Sequence, residues 1–209
     1  KGIVVNGGRR ATLTPAGHYV ENCHIHHYAL HQKTYQPAVA IGGVGNRVAH
    51  CLIHDAPHQA IAYSGNDHII EFNEIHHSGM DSDDCGAFYM GRNPSERGSI
   101  LRYNFWHHIG SGHNVAGQSG IRLDDFISAV LVYGNVFYRS ANGNFGAIQM
   151  NSGRDNIIDN NVFADCKRGI SGGYYPNNNV WRQLREGNTP NGFYINDLYL
   201  SRYPEMARM

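Results

Sequence analysis

The acidic residues of this sequence include two doublets of the kind used in acid–base chemistry. Asp83-Asp84 lies in the segment HHSGMDSDDCGAFYMGR, and Asp124-Asp125 lies in GQSGIRLDDF. Two carboxyl groups about 5 to 9.5 Å apart are the catalytic groups of most glycoside hydrolases. Acidic loops beside apolar strands also form metal sites or solvated turns. Which of these uses applies depends on how the surrounding strands and loops position the two doublets.

A repeat of about 28 residues organises most of the chain. Its segments CHIHH, CLIHD, NEIHH, NFWHH, NVFYR and NVFAD share a polar or thiol residue, a large apolar residue two places later, and two mostly polar residues. The first positions of these segments are Cys23, Cys51, Asn73, Asn104, Asn135 and Asn161. We expect the asparagines to form a buried ladder of amides, and the four cysteines to be free thiols because their spacing fits no zinc or disulfide motif.

A second set of segments, from PAVAIGG through GAFYMGR to RGISGGY, alternates buried and outward positions as a strand does,. With a third short strand before most asparagines, each repeat contains three strands. This pattern predicts an all-β fold, a single-stranded right-handed parallel β-helix of about six coils, in which equivalent residues stack at roughly 4.8 Å.

The repeat predicts the division of the chain. Residues 1–175 are expected to form the coils, and residues 176–209 leave the repeat as an aromatic-rich tail that forms at most a partial cap. A solenoid needs its end coils covered. We therefore expect the chain to be part of a longer protein whose flanking parts cover the ends.

Stacking places a group of polar side chains on one outer face of the central coils. The outward strand column contains Tyr89, Arg122 and Gln149 at consecutive coils. An aromatic ring with planar donors and carboxylates is typical of a sugar-binding cleft, although an Arg92–Asp125 contact is equally compatible with a simple salt bridge between coils. The candidate substrate-binding residues are His58, Tyr89, Arg92, Gln118, Arg122 and Gln149.

Histidine pairs recur about once per coil, as at His76-His77 and His107-His108. Recurrence with the repeat indicates a structural column rather than catalysts. Because strand neighbours point to opposite faces, the pairs are not expected to bind a metal ion. No cofactor is expected, and calcium at the acidic loop is an alternative that lacks the spacing of an EF-hand.

The charge balance excludes two classes of partner. Lys and Arg number 17, and Asp and Glu also number 17, so we expect neither a nucleic-acid nor an anionic-membrane partner,. No run of 18 apolar residues is present, which excludes a membrane-spanning helix,.

The strand positions of the doublets set a geometric condition. Asp84 precedes its strand and Asp124 follows the next one, so a straight strand would separate their columns by roughly 20 Å,. The two acids can act as a pair only if the loop at residues 78–84 folds back over the strand.

The segments APHQAIAYSGNDHIIEFNEIHH, DDCGAFYMGR and GQSGIRLDDF resemble right-handed β-helix proteins of carbohydrate-degrading bacteria, both glycoside hydrolases and polysaccharide lyases. The resemblance covers residues 18 to about 173. It implies a secreted or periplasmic protein that acts on a polysaccharide or oligosaccharide. In the hydrolase branch the acid and the base or nucleophile would be Asp84 and Asp125, with Asp83 and Asp124 as alternatives.

The same residues are compatible with two other functions. In a lyase, Arg122 or a bound cation would neutralise a uronate carboxylate, and Tyr89 or His58 would remove the C5 proton. The third alternative is a solenoid without catalytic activity that binds a glycan or has a structural function.

Overall fold

The computed structural model describes residues 1–112, 115–188 and 192–208. About 39% of the residues lie in strands, and the strands build three sheets in which successive coils pair in parallel. The chain passes through the first, second and third sheet once in each coil. This is the predicted parallel β-helix architecture, and the right hand of the coil stays a prediction.

The strands of each sheet follow in order along the stack. The first sheet contains β1 (Ile3–Gly7), β4 (Val39–Gly43), β7 (Ile61–Tyr63), β10 (Cys85–Gly91), β13 (Gly117–Asp124), β17 (Ile148–Asn151) and β20 (Ile170–Gly173), and β16 (Ala141–Gly143) pairs antiparallel with β13. The second sheet contains β2 (Tyr19–Glu21), β5 (Arg47–Ala49), β8 (Ile69–Glu71), β11 (Ile100–Arg102), β14 (Leu131–Tyr133) and β18 (Ile157–Asp159). The third sheet contains β3 (His24–His26), β6 (Leu52–His54), β9 (Glu74–His76), β12 (Phe105–His107), β15 (Val136–Tyr138) and β19 (Val162–Ala164).

The core fills the space between the three sheets with columns of equivalent apolar side chains. In the third sheet, Trp106 stacks on Phe137 with ring centroids 6.4 Å apart, and Phe137 stacks on Phe163 at 5.1 Å. Trp106 and Phe137 are fully buried. Burying a large side chain contributes roughly 1.5–3 kcal/mol, so these repeated columns are the main source of stability.

The expected amide ladder is present at the bend between the second and third sheets. The Asn104 side-chain amide donates to Asn135 Oδ1 at 3.0 Å, and Asn104 Oδ1 accepts from the backbone and side chain of Asn73 at 3.0 and 2.9 Å. Asn135 continues the ladder to Asn161. Cys51 ends it, since its backbone amide donates to Asn73 Oδ1 but its thiol bonds to Ala49 and Val20 carbonyls. All four cysteines are free thiols.

Two corners of each coil use left-handed backbone. One such residue precedes each third-sheet strand and another follows it, for example Phe72 at φ 56° and His77 at φ 45°. Residues other than glycine adopt this conformation rarely, so their recurrence shows that the sheet packing imposes the corners.

The tail packs along the side of the coils. Its helices α1 (Asn179–Arg185) and α2 (Asp197–Arg202) and a 3-10 turn, Pro204–Arg208, build a second apolar cluster with Phe126. Arg97 is fully buried and binds Asp155 at 3.1 Å and Glu205 at 2.8 Å, which attaches the tail to the coils. Across the described residues, no helix has the length and hydropathy needed to cross a membrane.

Candidate functional site

The candidate site lies on the outer face of the first sheet, where β10 and β13 pair. Tyr89 pairs with Arg122, and Arg122 pairs with Gln149, in the register expected from the repeat. Alternation then buries Phe88 and Leu123 in the core and directs Tyr89 and Arg122 outward.

A bend in β10 brings Asp84 back towards Arg122. Gly86 pairs with Ser119, yet a Cβ atom at Gly86 would lie only 2.7 Å from the Cβ atom of Arg122. Asp84 itself has left-handed backbone, with φ 54°. The straight-strand separation of roughly 20 Å is therefore wrong, because the chain does not run straight here.

Arg122 is the centre of the site. Its Nη1 donates to Asp84 Oδ1 at 2.6 Å and to the Asp84 carbonyl at 2.5 Å, and its Nη2 donates to Asp124 Oδ1 at 3.1 Å. The guanidinium is nearly buried and lies 5.0 Å from the Phe145 ring centroid. Because one planar guanidinium contacts both carboxylates, their bonded oxygens are no more than about 8 Å apart,.

Asp124 is buried and held from three directions. Besides Arg122, the Tyr89 hydroxyl donates to Asp124 Oδ2 at 3.1 Å and the Asn151 amide donates to Oδ1 at 3.2 Å. Gly91 leaves room for the Tyr89 hydroxyl, since a Cβ atom there would lie 2.6 Å from the hydroxyl oxygen. Asp124 is therefore a positioning residue with little access to solvent.

Asp125 lies next to Asp124 but is more accessible. Its side chain is 29% exposed, accepts from Asn151 at 2.6 Å, and forms the expected ion pair with Arg92 at 3.2 Å. Since one Asn151 nitrogen contacts both acids, their bonded oxygens are at most about 6 Å apart,. The acids thus form a continuous row, Asp84–Asp124–Asp125, bridged by Arg122 and Asn151.

Two of the candidate residues hold the acidic loop in place. Asp83 accepts from the backbone amides of Val115, Ala116 and Gly117 at 2.7 to 2.9 Å. Burial raises the pKa of Asp83, but these amide hydrogen bonds outweigh it and lower the pKa overall,. Gln118 is fully buried and donates to the Ser82 carbonyl at 2.7 Å. Both contacts fix the loop that presents Asp84.

His58 and Tyr89 differ in the chemistry they can perform. Burial, and then the charge of Arg122, lower the pKa of His58, so its imidazole is neutral at pH 7. Its Nδ1 accepts from the Tyr35 amide at 3.4 Å, which leaves the proton on Nε2,. Burial and the negative charge of Asp124 raise the pKa of Tyr89, so this hydroxyl is a donor rather than a base.

The remaining residues of the acidic region have separate partners. Asp81 binds Lys33 at 2.7 Å, whereas Asp83 and Asp84 bind backbone amides and Arg122. The three carboxylates therefore point to three different partners and do not converge as calcium ligands do. Gln149, a candidate substrate-binding residue, accepts a hydrogen bond from Ser171, its partner in the next coil.

Three surface cavities are lined by residues outside the row. A cavity of about 390 Å³ reaches Asp81, in the loop that carries Asp84. Another cavity of about 510 Å³ is lined by Met150 and Ser152, on both sides of Asn151 in sequence. A further cavity of about 490 Å³ lies by the tail at Tyr203, away from the row.

The histidines form the expected stacked columns, but neighbouring histidines do not point to opposite faces. His76 stacks on His107 with centroids 4.6 Å apart, and His77 stacks on His108 at 5.4 Å. The two columns touch, since Nδ1 of His76 lies 2.6 Å from Nδ1 of His77. The opposite-face expectation is wrong because the left-handed backbone of His77 turns its side chain back.

The comparisons with known proteins give no relative. No protein-family model matches the chain, and no match was found among the curated proteins or the solved structures.

Proposed function

We propose that the row Asp84–Asp124–Asp125 is the active site of a carbohydrate-active enzyme that hydrolyses a glycosidic bond in a polysaccharide. The observation that supports this most is the pair of accessible carboxylates, Asp84 and Asp125, on either side of the buried Asp124–Arg122 pair. Their side chains are 65% and 29% exposed, whereas that of Asp124 is 5% exposed.

The contacts of the two acids favour different functions in hydrolysis. Asp84 receives a short hydrogen bond from the nearly buried Arg122, which holds its carboxylate in a fixed position suited to a base or nucleophile,. Asp125 contacts the exposed Arg92 at 3.2 Å, a weaker pairing in water that a substrate can displace,. With Asp84 as the base or nucleophile, Asp125 is the proposed general acid that protonates the leaving oxygen.

The surroundings supply groups suited to a sugar. Tyr89 presents a half-buried ring, and His58 carries a proton on Nε2 that a sugar hydroxyl can accept,.

The lyase alternative fits the contacts less well. Arg122 already binds two carboxylates, so a uronate carboxylate would have to displace Asp84 or Asp124. Tyr89 holds its proton towards Asp124, which disfavours it as the base. His58 is then the remaining base for this mechanism.

The test is a panel of neutral and uronic-acid polysaccharides incubated with the protein and with a doubly substituted Asp84→Asn, Asp125→Asn variant. We expect the protein to release reducing ends without an unsaturated product, and the double variant to release none. An unsaturated uronate product would establish the lyase instead. Absence of any cleavage, with retained glycan binding, would leave the non-catalytic solenoid as the function.

A further inference from the structure

The third sheet carries a cluster of metal-ligating side chains on its outer face. Glu74 and His76 lie two residues apart on β9 and so share a face, and His76 pairs with His107 of β12,. One donor atom from each of these residues lies within 4.8 Å of the other two. His107 Nε2 lies 3.1 Å from Glu74 Oε1.

A second pair of histidines orients the first pair. Nδ1 of His76 lies 2.6 Å from Nδ1 of His77, and Nδ1 of His107 lies 2.8 Å from Nδ1 of His108. Imidazoles that bind metal ions almost always donate their other ring N–H to an acceptor, which fixes the tautomer. Here each Nδ1 contact leaves Nε2 as the nitrogen that faces an ion.

The position of Glu74 is unusual for a residue that only fills a sheet surface. Its direct neighbours in the adjacent coils are Leu52 and Phe105, both apolar. The Phe105 ring also packs on His107, with centroids 4.3 Å apart. Its carboxylate is directed at a ring nitrogen of His107, an arrangement suited to a shared metal ion.

We propose that Glu74, His76 and His107 bind one divalent transition-metal ion. Two imidazoles and one carboxylate suit zinc and its neighbours, whose bonds to nitrogen are about 2.0–2.1 Å long, whereas magnesium and calcium prefer oxygen ligands. The donor atoms must approach each other by an ångström or so, which the exposed Glu74 side chain can provide by changing rotamer,. With three protein ligands, the ion keeps positions for water or another ligand.

Binding requires a change of tautomer at His107. Its Nε2 contacts Glu74 Oε1, so this nitrogen carries the ring proton when no ion is bound,. When the ion takes the Nε2 lone pair, the ring carries its proton on Nδ1 and donates it to Nδ1 of His108, whose own proton is then on Nε2,.

This site is separate from the proposed glycan-cleaving row, because it lies on the third sheet and the row lies on the first. The test is isothermal titration of chelator-treated protein without a histidine tag, using zinc chloride at about pH 7.5. We expect saturable binding with a dissociation constant in the micromolar range or below. His107→Gln should weaken it at least about a hundredfold, and Glu74→Gln and His108→Gln about tenfold or more.

His50→Gln is the control, since His50 also stacks on an aromatic ring, that of Phe72, but is not one of the proposed ligands. It should leave the affinity unchanged, and thermal melts should show that every variant folds. X-ray absorption of the zinc-loaded protein should show two imidazole ligands and one carboxylate. The proposal would be overturned by a dissociation constant above roughly 1 mM for the parent chain, or by Glu74 and His107 variants that bind zinc as tightly as the parent chain does.

Discussion

Replacing Arg122 by methionine tests whether the row of carboxylates is a preorganised buried cluster. The substitution keeps much of the side-chain volume but leaves Asp124, whose side chain is 5% exposed, with a charge and without its guanidinium partner. Removing one partner of a buried ion pair costs about 3–5 kcal/mol. Asp124 keeps its hydrogen bonds from Tyr89 and Asn151, so we expect the lower end, about 3 kcal/mol,.

The contact to Asp84 adds little to this value, because that carboxylate is 65% exposed and can be hydrated,. The informative comparison is a double-mutant cycle with Asp124→Asn. In the Arg122→Met background the neutral amide removes the unpaired charge. The double variant should therefore lose less unfolding free energy than the two single variants lose together, by at least about 1 kcal/mol.

The free energy of unfolding is measured by urea titration, followed by tryptophan fluorescence. Trp106 is fully buried in the core and reports loss of the coils. A loss below about 1 kcal/mol for Arg122→Met, or additive effects in the cycle, would refute the reasoning and make the cluster an ordinary solvated ion pair.

Three further predictions concern the scaffold. Asn104→Ala should lower the free energy of unfolding by about 3 kcal/mol in urea titrations, because it leaves several buried ladder groups unpaired,. Asn161→Ala, at the less buried end of the ladder, should lower it by less. Equal losses for the two variants would contradict a ladder. Burial lowers the pKa of His68 to about 4, from an unfolded value near 6.5,. The contribution of neutral His68 to the free energy of unfolding should therefore be complete above pH 6.5 and fall by about 3 kcal/mol as the pH drops to about 4,. His68→Gln should flatten this part of a curve of unfolding free energy against pH. Asp83→Asn weakens three amide contacts and should increase the rate of limited proteolysis in the loop that carries Asp84; unchanged cleavage would contradict its anchoring function,.

The sequence predicts the coil because stacked repeats place equivalent residues in the same environment. The columns of Asn104 and Trp106 are therefore readable without coordinates, and the register of Tyr89 with Arg122 follows from them,. The repeat also predicts that Tyr89, Arg122 and Gln149 lie side by side on the outer face of the first sheet, which is the face that carries the candidate site.

Local backbone geometry explains what the pattern could not predict. The bend at Gly86 and the left-handed backbone of Asp84 decide whether the acids meet, and neither belongs to the repeat. The left-handed backbone that turns His77 onto His76 does recur after each third-sheet strand, but the alternation of residue types does not reveal it. Strand alternation assumes extended backbone, so it fails at the corners, where both candidate sites have residues.

The measurement that tests the central claim most directly is the rate of reducing-end release by single variants on a glycan that the parent chain cleaves. Asp84→Asn and Asp125→Asn should each lower kcat by roughly a hundredfold or more, because each removes a group required for acid–base or nucleophilic catalysis. Asp165→Asn, which breaks an exposed ion pair with Arg139, is the matched control and should leave the rate unchanged. Rates within about twofold of the parent chain for folded Asp84 and Asp125 variants would contradict the proposed active site.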